Sequence, residues 1–362
     1  MLRLYNHIAI DYLIVGQGLA GTLIGYRLEQ SGHRVTYVDA PEQTAASSVA
    51  AGIVNPITGR RFVKSWRIDE LLPAARQLYR DLERQLDTPI WQEIPLVRTL
   101  FNRGDENDWL ARGGDPAYAD YLIDQPDLGS IPQITRPAYA YAGVGHSARV
   151  NLAGMVGAFR RQRLATRQLI AAPLDYSAIS PEPDTPPRVT LPGGSVARSF
   201  DRVIFCEGWR ARFNPWFGQL PHGGTKGEVL IVRLDSPPLD RLFKHRVFLV
   251  PLGDGTYWVG ATSSNSFPDD RPTPANRTYL EDRLREVMTV PFEVVDHRAA
   301  VRPTVRDRRP MIGAHPAIPS FYLFNGLGTK GASLAPLVSA WLADHLDHGA
   351  PLPAEVDVRR FF

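Results

Sequence analysis

Three glycines near the start of the chain stand at a spacing that can bind phosphate. In the stretch DYLIVGQGLAG, the apolar run Tyr12–Val15 is followed directly by Gly16, Gly18 and Gly21. Gly16 permits a tight turn from strand to helix, Gly18 lets the backbone approach a pyrophosphate, and Gly21 lets the helix lie close to the sheet. The free N–H groups at the start of that helix, near Leu19, favour negative charge. The spacing therefore predicts a dinucleotide-binding turn.

An acidic residue follows the glycines at the separation that suits ribose binding. The next strand-like run, Arg34–Val38, leads to Asp39, about 20 residues beyond the glycines. A carboxylate there accepts hydrogen bonds from an unphosphorylated ribose, as in FAD or NAD. An isolated GxGxxG match is a weak signal, whereas one set between two predicted strands with the acid in place is specific.

Helical and β-rich segments alternate twice along the chain, and these elements must position the glycine turn. Apolar spacing predicts helices at about 20–31, 68–86, 152–163, 277–288 and 332–348. The segments 90–142 and 223–300 consist of short β-like pieces broken by Pro and Gly. SPEPDTPP, at 180–187, is predicted to form the tip of a hairpin. The pattern favours one domain with a parallel sheet and a second, β-rich domain.

The composition is that of a sizeable enzyme and excludes several other classes. The 362 residues exceed one usual hydrophobic core, and the formal charge of +3 is no nucleic-acid footprint. The single cysteine, Cys206, rules out an internal disulfide and favours a reducing cytoplasm. The nine histidines show no metal-ligand spacing, so no metal site is expected. Residues 1–10 lack the order of a signal peptide, and no apolar run reaches the roughly 18 residues of a membrane span.

Ordered motifs across nearly the whole chain resemble the D-amino-acid oxidase family of FAD-dependent oxidoreductases. These motifs are GQGLAG with Asp39, SSVAAG, VIFCEGW, KGE at 226–228, VPLGDGTYWVGAT, the Arg302-Pro303 pair followed by DRRPMIG, and GLGTKGASLAP. Within the family, the pattern is similar to glycine oxidase-like members. GLGTKGASLAP is also similar to the flavin domain of the bacterial enzyme that modifies the wobble uridine of tRNA.

The resemblance implies an α/β fold with a Rossmann-type FAD-binding domain and a second, mainly antiparallel β substrate domain of α+β type. The implied FAD-binding domain is discontinuous and comprises residues 1–89, 149–221 and 301–362, and the implied substrate domain comprises 90–148 and 222–300. The resemblance also implies FAD rather than NAD. The flavin is expected to be non-covalent, because Cys206 lies away from the position of the covalent link in sarcosine oxidase-like relatives.

The resemblance carries cofactor-binding roles onto particular residues of this sequence. They are Gly16, Gly18, Leu19, Ala20 and Gly21 of the first turn, Asp39, the small-residue segment with Ser47, Ser48, Ala51 and Gly52, then Gly208, and the loop residues Gly326, Gly328, Thr329, Lys330 and Gly331. The small-residue segment would lie along the pyrophosphate and isoalloxazine, although an ordinary turn would look the same. The loop before the last helix would face the flavin.

Three residues are candidates for contact with the substrate or the reacting flavin. Arg302 matches the arginine that clamps a substrate carboxylate with a bidentate fork. Phe248 matches a position where glycine oxidase-like members have tyrosine; the missing hydroxyl puts glycine in doubt as the substrate, and a plain core role stays open. Lys330 either stabilises negative charge on the reduced flavin, together with the helix that follows, or faces the substrate, or is solvated.

The implied reaction is oxidation of the C–N bond of a small amino acid or N-substituted glycine by hydride transfer to flavin N5. Water would hydrolyse the resulting imine, and oxygen or another acceptor would reoxidise the flavin. One alternative is removal of a carboxymethyl group from a wobble-uridine amine of tRNA, disfavoured by the near-neutral charge and by the missing methyltransferase domain. The other is an electron-relay or binding module without its own amine, disfavoured by Arg302. The oligomeric state is left open.

Overall fold

A computed structural model describes residues 9–40, 42, 44–181 and 185–362 of the chain. The predicted absence of a signal peptide concerns residues 1–10 and so lies mostly outside the described residues. The same holds for residues 182–184 within the predicted hairpin tip.

Packing divides the chain into two compact units. The first unit comprises Met1–Ser48, Ala153–Gly224 and Arg302–Phe362, and the second comprises Val49–Leu152 and Thr225–Val301. The division differs from the predicted boundaries chiefly at 49–89, because the strand Ile53–Val54 pairs with Ala148–Val150. Which unit binds FAD and which binds substrate stays a prediction.

The first unit is built on a six-stranded sheet. Its strand order is Leu169–Ile170, Arg34–Val38, Asp11–Val15, Arg202–Phe205, Ile318–Asn325 and Met311–His315. The first five strands run parallel and the edge strand Met311–His315 runs antiparallel. Tyr12–Val15 is buried along its whole length, which explains why it forms a continuous apolar run. One apolar cluster joins this sheet to a small second sheet of Ile179–Ser180, Arg188–Thr190 and Ala197–Ser199.

Two helices of the first unit, Leu19–Gln30 and Gly331–His348, pack side by side. A Cβ added to Gly331 would lie 3.1 Å from Leu19 Cδ2. Further along, Arg27 Nε donates to Ser339 Oγ at 2.9 Å, and Ser31 Oγ donates to Asp347 Oδ2 at 2.7 Å. Because these contacts follow the same order in both helices, the helices run parallel and their N-termini lie together.

The second unit is built on an eight-stranded sheet. Its strand order is Phe292–Arg302, Thr225–Leu234, Thr256–Gly260, Phe248–Pro251, Leu242–Lys244, Leu96–Leu100, Ala140–Val144 and Leu122–Ile123. Leu242–Lys244 pairs in parallel with Leu96–Leu100, and the other neighbouring strands from Thr225–Leu234 to Leu122–Ile123 pair antiparallel. The turn at 253–255 joins two antiparallel strands, as predicted.

The two faces of this eight-stranded sheet differ in chemistry. Val97, Phe243 and Leu249 belong to an apolar core that also includes Leu280 and Leu284 of the helix Pro274–Arg285. Successive residues of a strand point to opposite faces. The neighbours of the first three, namely Arg98, Lys244 and Phe248, therefore point to the face away from that core.

The helices of the second unit include two that sequence analysis missed. The helix Ile68–Leu86 is confirmed with its predicted bounds. The expectation of only β-like pieces in 90–142 is wrong, because Arg103–Gly113 is an α-helix and Ile131–Ile134 forms a short one. Asn102 Oδ1 caps the first by accepting from the Asp105 N–H at 3.0 Å. Trp109 is its buried residue, so the helix has no apolar periodicity to detect.

The remaining described elements are short or join the sheets. They are the helices Ala46–Val49 and Leu152–Ala165, the strands Val63–Lys64, Ile57–Thr58 and Trp91–Glu93, and the 3₁₀ turns Pro116–Tyr118, Tyr176–Ala178, Gly208–Phe213 and Val358–Phe361. The predicted fold class, a Rossmann-type α/β domain with a second β-rich domain, is confirmed. Among the described residues, no helix has the length and apolar character needed to cross a bilayer.

Candidate cofactor and substrate site

The glycine turn of the first unit is shaped by backbone that passes very close to it. Gly16 adopts φ +97°, and a Cβ there would lie 2.6 Å from the carbonyl oxygen of Cys206. A Cβ on Gly21 would lie 2.0 Å from the carbonyl oxygen of Gly16. Real side chains do not tolerate such contacts, so both positions require glycine for the turn itself to form.

Gly18 is a glycine for a different reason. It has φ −85°, a conformation open to any residue, and within 4 Å a Cβ there would meet only Ser47 Oγ, at 3.5 Å. Ser47 is 7% exposed, and its hydroxyl oxygen is buried without a hydrogen-bond partner among the described residues. Open space beside a buried, unsatisfied hydroxyl is what a bound phosphate group would occupy.

The positive ends of the two parallel helices meet beside this space. Gly18 precedes the helix Leu19–Gln30 and offers no side-chain cap, and the first turn has no acidic residue. The first N–H groups, those of Leu19 and Ala20 among them, lack intrahelical partners and point out of the helix end. The N-terminus at Gly331 adds a second set of such donors. The arrangement suits an anion of the size and charge of a pyrophosphate.

Asp39 has a neighbour that sequence analysis did not identify. Asp39 Oδ1 accepts from the Gln17 N–H at 2.9 Å, and Oδ2 forms an ion pair with Arg160. Arg160 Nη1 also donates to Gln17 Oε1 at 3.3 Å, and its Nη2 is buried with no partner in the described part of the chain. A ribose bound at Asp39 would therefore contact a carboxylate that Gln17 and Arg160 hold in place. It would also lie near the Nη2 donor of Arg160, which has no partner among the described residues. In the sequence, Arg160 is recognisable only as one arginine of the helix predicted at about 152–163.

Together these groups form a cradle that fits the pyrophosphate and ribose of FAD. Gly18 leaves room, Ser47 offers a hydroxyl, two helix ends supply N–H donors, and Asp39 can accept from a ribose hydroxyl. Ser48 follows in the same short helix, where its hydroxyl donates to Ala45 O at 2.7 Å.

Two of the predicted cofactor residues, Ala51 and Gly52, belong to the second unit. Ala51 is buried. Gly52 has φ +75°, and a Cβ there would lie 1.8 Å from the carbonyl oxygen of Val150. The Val150 N–H also donates to Gly52 O at 2.8 Å. The pairing with Val150 accounts for this glycine without a ligand, and a contact with flavin stays a prediction.

The glycine-rich loop 326–331 lies against the Arg302 segment within the first unit. The Gly328 N–H donates to the Pro303 carbonyl oxygen at 3.0 Å. Gly326 and Gly328 adopt φ +78° and +55°, and a Cβ on Gly326 would lie 2.7 Å from Val305 Cγ2. Thr329 is exposed. This hydrogen bond therefore joins the backbone next to Arg302 to the loop that carries Lys330.

Arg302 and Lys330 are both partly buried cations. Burial lowers the pKa of Arg302. Burial also lowers the pKa of Lys330, and the charges of Arg309 and Arg308 lower it further. Both arginines lie close enough to act on Lys330, and Arg309 also pairs with Glu355 at 3.9 Å. Several side chains therefore contribute positive potential at the loop.

Phe248 lies in the second unit at the start of the strand Phe248–Pro251 and is partly buried. The ammonium group of Lys244 lies 4.6 Å from the centre of its ring. A partly exposed ring with a cation next to it differs from a plain core phenylalanine. Its contact with substrate nevertheless stays a prediction.

Cys206 and Gly208 flank a partly buried acid, Glu207, in the first unit. Cys206 is a buried free cysteine, and burial raises the pKa of its thiol well above the usual value. It is therefore protonated and unreactive, in agreement with a core role. Gly208 has φ +58°, and its carbonyl oxygen accepts from Asn325 Nδ2 at 2.7 Å, which ties it to the strand before the glycine-rich loop. Burial raises the pKa of Glu207 to about 7.

No group of three or more His, Cys, Asp or Glu side chains in the described ranges could hold a metal ion. The charges that the described site presents to a ligand are those of Arg302, Lys330 and the helix N-termini at Leu19 and Gly331.

A glycine turn with an acid at the end of the next strand, on a Rossmann-type sheet built from separate segments of the chain, defines a dinucleotide-binding domain. The family described as FAD dependent oxidoreductase (DAO) matches residues 11–345. The match spans most of the chain, which therefore belongs to this family and is an FAD-dependent enzyme.

Known relatives include amino-acid and tRNA-modifying enzymes. The glycine oxidase of Geobacillus kaustophilus (strain HTA426) is 26% identical over 92% of each chain. The tRNA 5-methylaminomethyl-2-thiouridine biosynthesis bifunctional protein MnmC of Hahella chejuensis is also 26% identical, over 95% of this chain but 58% of its own length. The crystal structure of the Geobacillus kaustophilus glycine oxidase superposes with a TM-score of 0.78 at 23% identity, covering 98% of both chains. It shows the same fold.

Proposed function

We propose that the protein oxidises the C–N bond of a small amino acid or N-substituted glycine. When bound, FAD takes a hydride equivalent from the substrate carbon at N5, and the resulting imine adds water and separates into a carbonyl compound and an amine. The observation that carries the proposal is the position of Arg302, which the bond between Pro303 O and the Gly328 N–H holds beside the glycine-rich loop. Partial burial strengthens the attraction of its guanidinium group for a carboxylate.

The other residues complete this assignment. Arg302 orients the substrate by its carboxylate, which fixes the carbon that loses the hydride. Phe248 packs against the apolar part of the substrate and donates no hydrogen bond. Lys330, with the helix N-terminus at Gly331, stabilises negative charge that develops next to the loop. The cradle at Gly18, Ser47 and Asp39 holds the cofactor.

A second candidate is a transfer-RNA substrate. The Hahella chejuensis relative, which aligns over 95% of this chain, is named for tRNA 5-methylaminomethyl-2-thiouridine biosynthesis. A carboxymethyl group on an amine is chemically an N-substituted glycine, so the same residues would serve. The two candidates differ in what surrounds the amine and not in the bond that breaks.

Anaerobic reduction of the flavin separates these candidates. The holoenzyme is mixed without oxygen with a panel of amines, including glycine, N-methylglycine, other amino acids and amines that carry two carboxylates, and separately with tRNA that retains carboxymethylaminomethyl groups. The expected result is bleaching of the flavin absorbance by one or more small amines. Bleaching by the tRNA alone would favour the second candidate. If neither bleaches a flavin that dithionite still reduces, the proposed function is wrong.

We infer that the enzyme is cytoplasmic, because its single cysteine is a buried free thiol and a reducing compartment suits such a chain. Oxygen or another acceptor completes the turnover, and oxygen consumption with the identified amine distinguishes the two. Cell fractionation with an antibody to the protein tests the location; recovery in a periplasmic or extracellular fraction would contradict the inference.

A further inference from the structure

Two cations lie next to each other on the sheet face that carries Phe248. Arg98 and Lys244 are register partners in the parallel pair formed by Leu96–Leu100 and Leu242–Lys244. Partners in neighbouring strands point to the same face, which here is the face opposite the apolar core. Lys244 is in turn the register partner of Phe248. Three adjacent strands thus place an arginine, a lysine and an aromatic ring side by side.

No carboxylate in the described part of the chain neutralises this pair. Arg98 and Lys244 form no ion pair there, and Arg98 Nε is buried without a hydrogen-bond partner. The Lys244 ammonium group donates to the backbone oxygen of Arg246 at 2.7 Å. Asp105 is the carboxylate that acts on Arg98, but burial has the larger effect on Arg98, and Asp105 accepts from the Phe101 N–H at 2.9 Å.

The two positive charges destabilise one another. Burial lowers the pKa of Lys244 to about 8, and the charge of Arg98 contributes to that decrease. Burial lowers the pKa of Arg98 to about 10. Buried charges are normally paired, because an unpaired one costs free energy of desolvation. Two neighbouring unpaired cations are therefore unfavourable until an anion binds between them.

Aromatic rings hold these cations in place without neutralising them. The Arg98 guanidinium lies 4.3 Å from the centre of the Phe62 ring, and the Lys244 ammonium lies 4.6 Å from that of Phe248. Phe62 is 2% exposed and packs edge-on against Trp109 at 5.3 Å. Cation–π contacts of this kind fix the side chains but leave the net charge unchanged.

We propose that Arg98 and Lys244 bind a second carboxylate of the amine substrate, so that the enzyme acts on amines bearing two carboxylates. This inference rests on the proposed function. Within it, Phe248 contacts the substrate, and the Arg98–Lys244 pair beside that ring binds the carboxylate that lies away from the reacting carbon. Phe248, adjacent to Lys244 and without a hydroxyl, provides the apolar contact for the carbons next to that distant carboxylate.

Binding of unreactive acids tests the pair without requiring turnover. Glutarate, with two carboxylates, and butyrate, with one, are titrated into the holoenzyme by calorimetry, and perturbation of the flavin spectrum is recorded. The variants are Lys244→Met and Arg98→Gln, with Lys244→Arg as the conservative replacement. Arg246→Gln is the matched control, because Arg246 is half exposed and paired with Glu286 at 3.3 Å.

The expected result is selective loss of glutarate affinity. Lys244→Met and Arg98→Gln should weaken glutarate binding by about 30-fold or more, the effect of removing one member of a desolvated charge pair, and butyrate binding by less than about threefold. Lys244→Arg and Arg246→Gln should bind both acids as the wild type does. Without ligand, Lys244→Met should unfold at the same or a higher temperature than the wild type, because it removes an unpaired buried charge. If Lys244 only stabilised the fold, the Lys244→Met variant would unfold at a lower temperature than the wild type.

Equal losses for glutarate and butyrate, or no loss for either, would overturn the inference. So would unchanged glutarate binding together with weakened binding of a tRNA anticodon stem, which would assign the pair to RNA phosphates. If no amine reduces the flavin but glutarate binding still depends on both cations, the proposed function fails and the two-carboxylate site stands. If amines with one carboxylate reduce the flavin and the variants bind dicarboxylates as tightly as the wild type, the proposed function stands and the two-carboxylate site fails.

Discussion

The first and second units both offer positive charge to an anion, but they make it from different parts of the chain. In the first unit, the charge is that of backbone N–H groups at the ends of two parallel helices, with Gly18 leaving room. In the second, it is that of the Arg98 and Lys244 side chains. Backbone donors carry partial charges that do not titrate, whereas buried side chains carry full charges that cost free energy when empty.

This difference matches two kinds of ligand. A backbone cradle binds at any ordinary pH and is suited to a cofactor that stays with the protein. A pair of unpaired cations is destabilising when empty and favourable when filled, which suits a ligand that binds and leaves in every cycle. Variants at the two sites, and the pH dependence of binding, distinguish these two behaviours.

The largest expected effect is at Gly18. Gly18→Val should fold and lose most of its FAD, because the side chain fills the space next to Ser47 while φ −85° tolerates it. The measurement is the flavin absorbance per protein after purification, with backbone circular dichroism to show folding. Gly113→Val is the control, since a Cβ there meets nothing within 4 Å. Retention of FAD by a folded Gly18→Val would remove this residue from the cradle.

Arg302→Leu should weaken turnover while leaving the flavin bound. The expected loss in kcat/KM is about 2–5 kcal/mol, the range for truncating one member of a desolvated charge pair. Flavin content and unfolding temperature serve as checks, and the exposed Arg306→Leu is the matched control. An unaltered kcat/KM for an acidic substrate would show that the clamp lies elsewhere.

Anion binding by the Arg98–Lys244 pair should depend on pH, in contrast to retention of FAD. Lys244 is charged below a pKa of about 8 and neutral above it, so glutarate affinity should fall by about tenfold as pH rises through 8. Arg98 retains its charge until about pH 10. His245 does not interfere, since burial and the charge of Arg246 hold its pKa below the usual value. Calorimetric titrations of wild type and Lys244→Arg between pH 7 and 9 check this; a slope in both, or in neither, contradicts it.

The smallest expected effect is at Lys330. Lys330→Met should lower the reduction potential of the flavin and slow its reduction, because a positive charge near the developing negative charge is lost. The effect should be partial, about tenfold or less in rate, since the helix N-terminus at Gly331 remains. A redox titration beside substrate affinity separates the roles. Unchanged potential with weaker binding would place Lys330 at the substrate, and no change in either would assign it to solvent.

Sequence analysis predicted the features that backbone geometry imposes. A Cβ at Gly16 or Gly21 would lie within 3 Å of neighbouring backbone, so both positions require glycine, and such requirements leave a fixed spacing in the sequence. The helix Ile68–Leu86 was predicted with its bounds because eight of its side chains are buried at helical spacing. The helix Arg103–Gly113 was missed, since Trp109 alone could not produce a periodic pattern.

Side-chain partnerships across distant segments left no such spacing. Arg160 meets Asp39 only because the sheet brings the helix Leu152–Ala165 beside the strand Arg34–Val38. Arg98 and Lys244 lie in strands far apart in the chain, and nothing in either strand's own sequence indicates that the two will be register partners. Only three-dimensional packing shows that no carboxylate of the described residues forms an ion pair with either cation.

The parallel helices Leu19–Gln30 and Gly331–His348 also affect how the protein is made. The glycine turn leaves the ribosome early, but the strands beside it, Arg202–Phe205 and Ile318–Asn325, and the second helix leave much later. Until they emerge, the strand Asp11–Val15 has an unpaired edge, and the first helix lacks the partner that its contacts through Arg27 and Ser31 require. Such non-local pairing is slow to form. The nascent chain should therefore capture its flavin only after synthesis of this unit is complete, and a supply of FAD at that moment should raise the yield of folded enzyme.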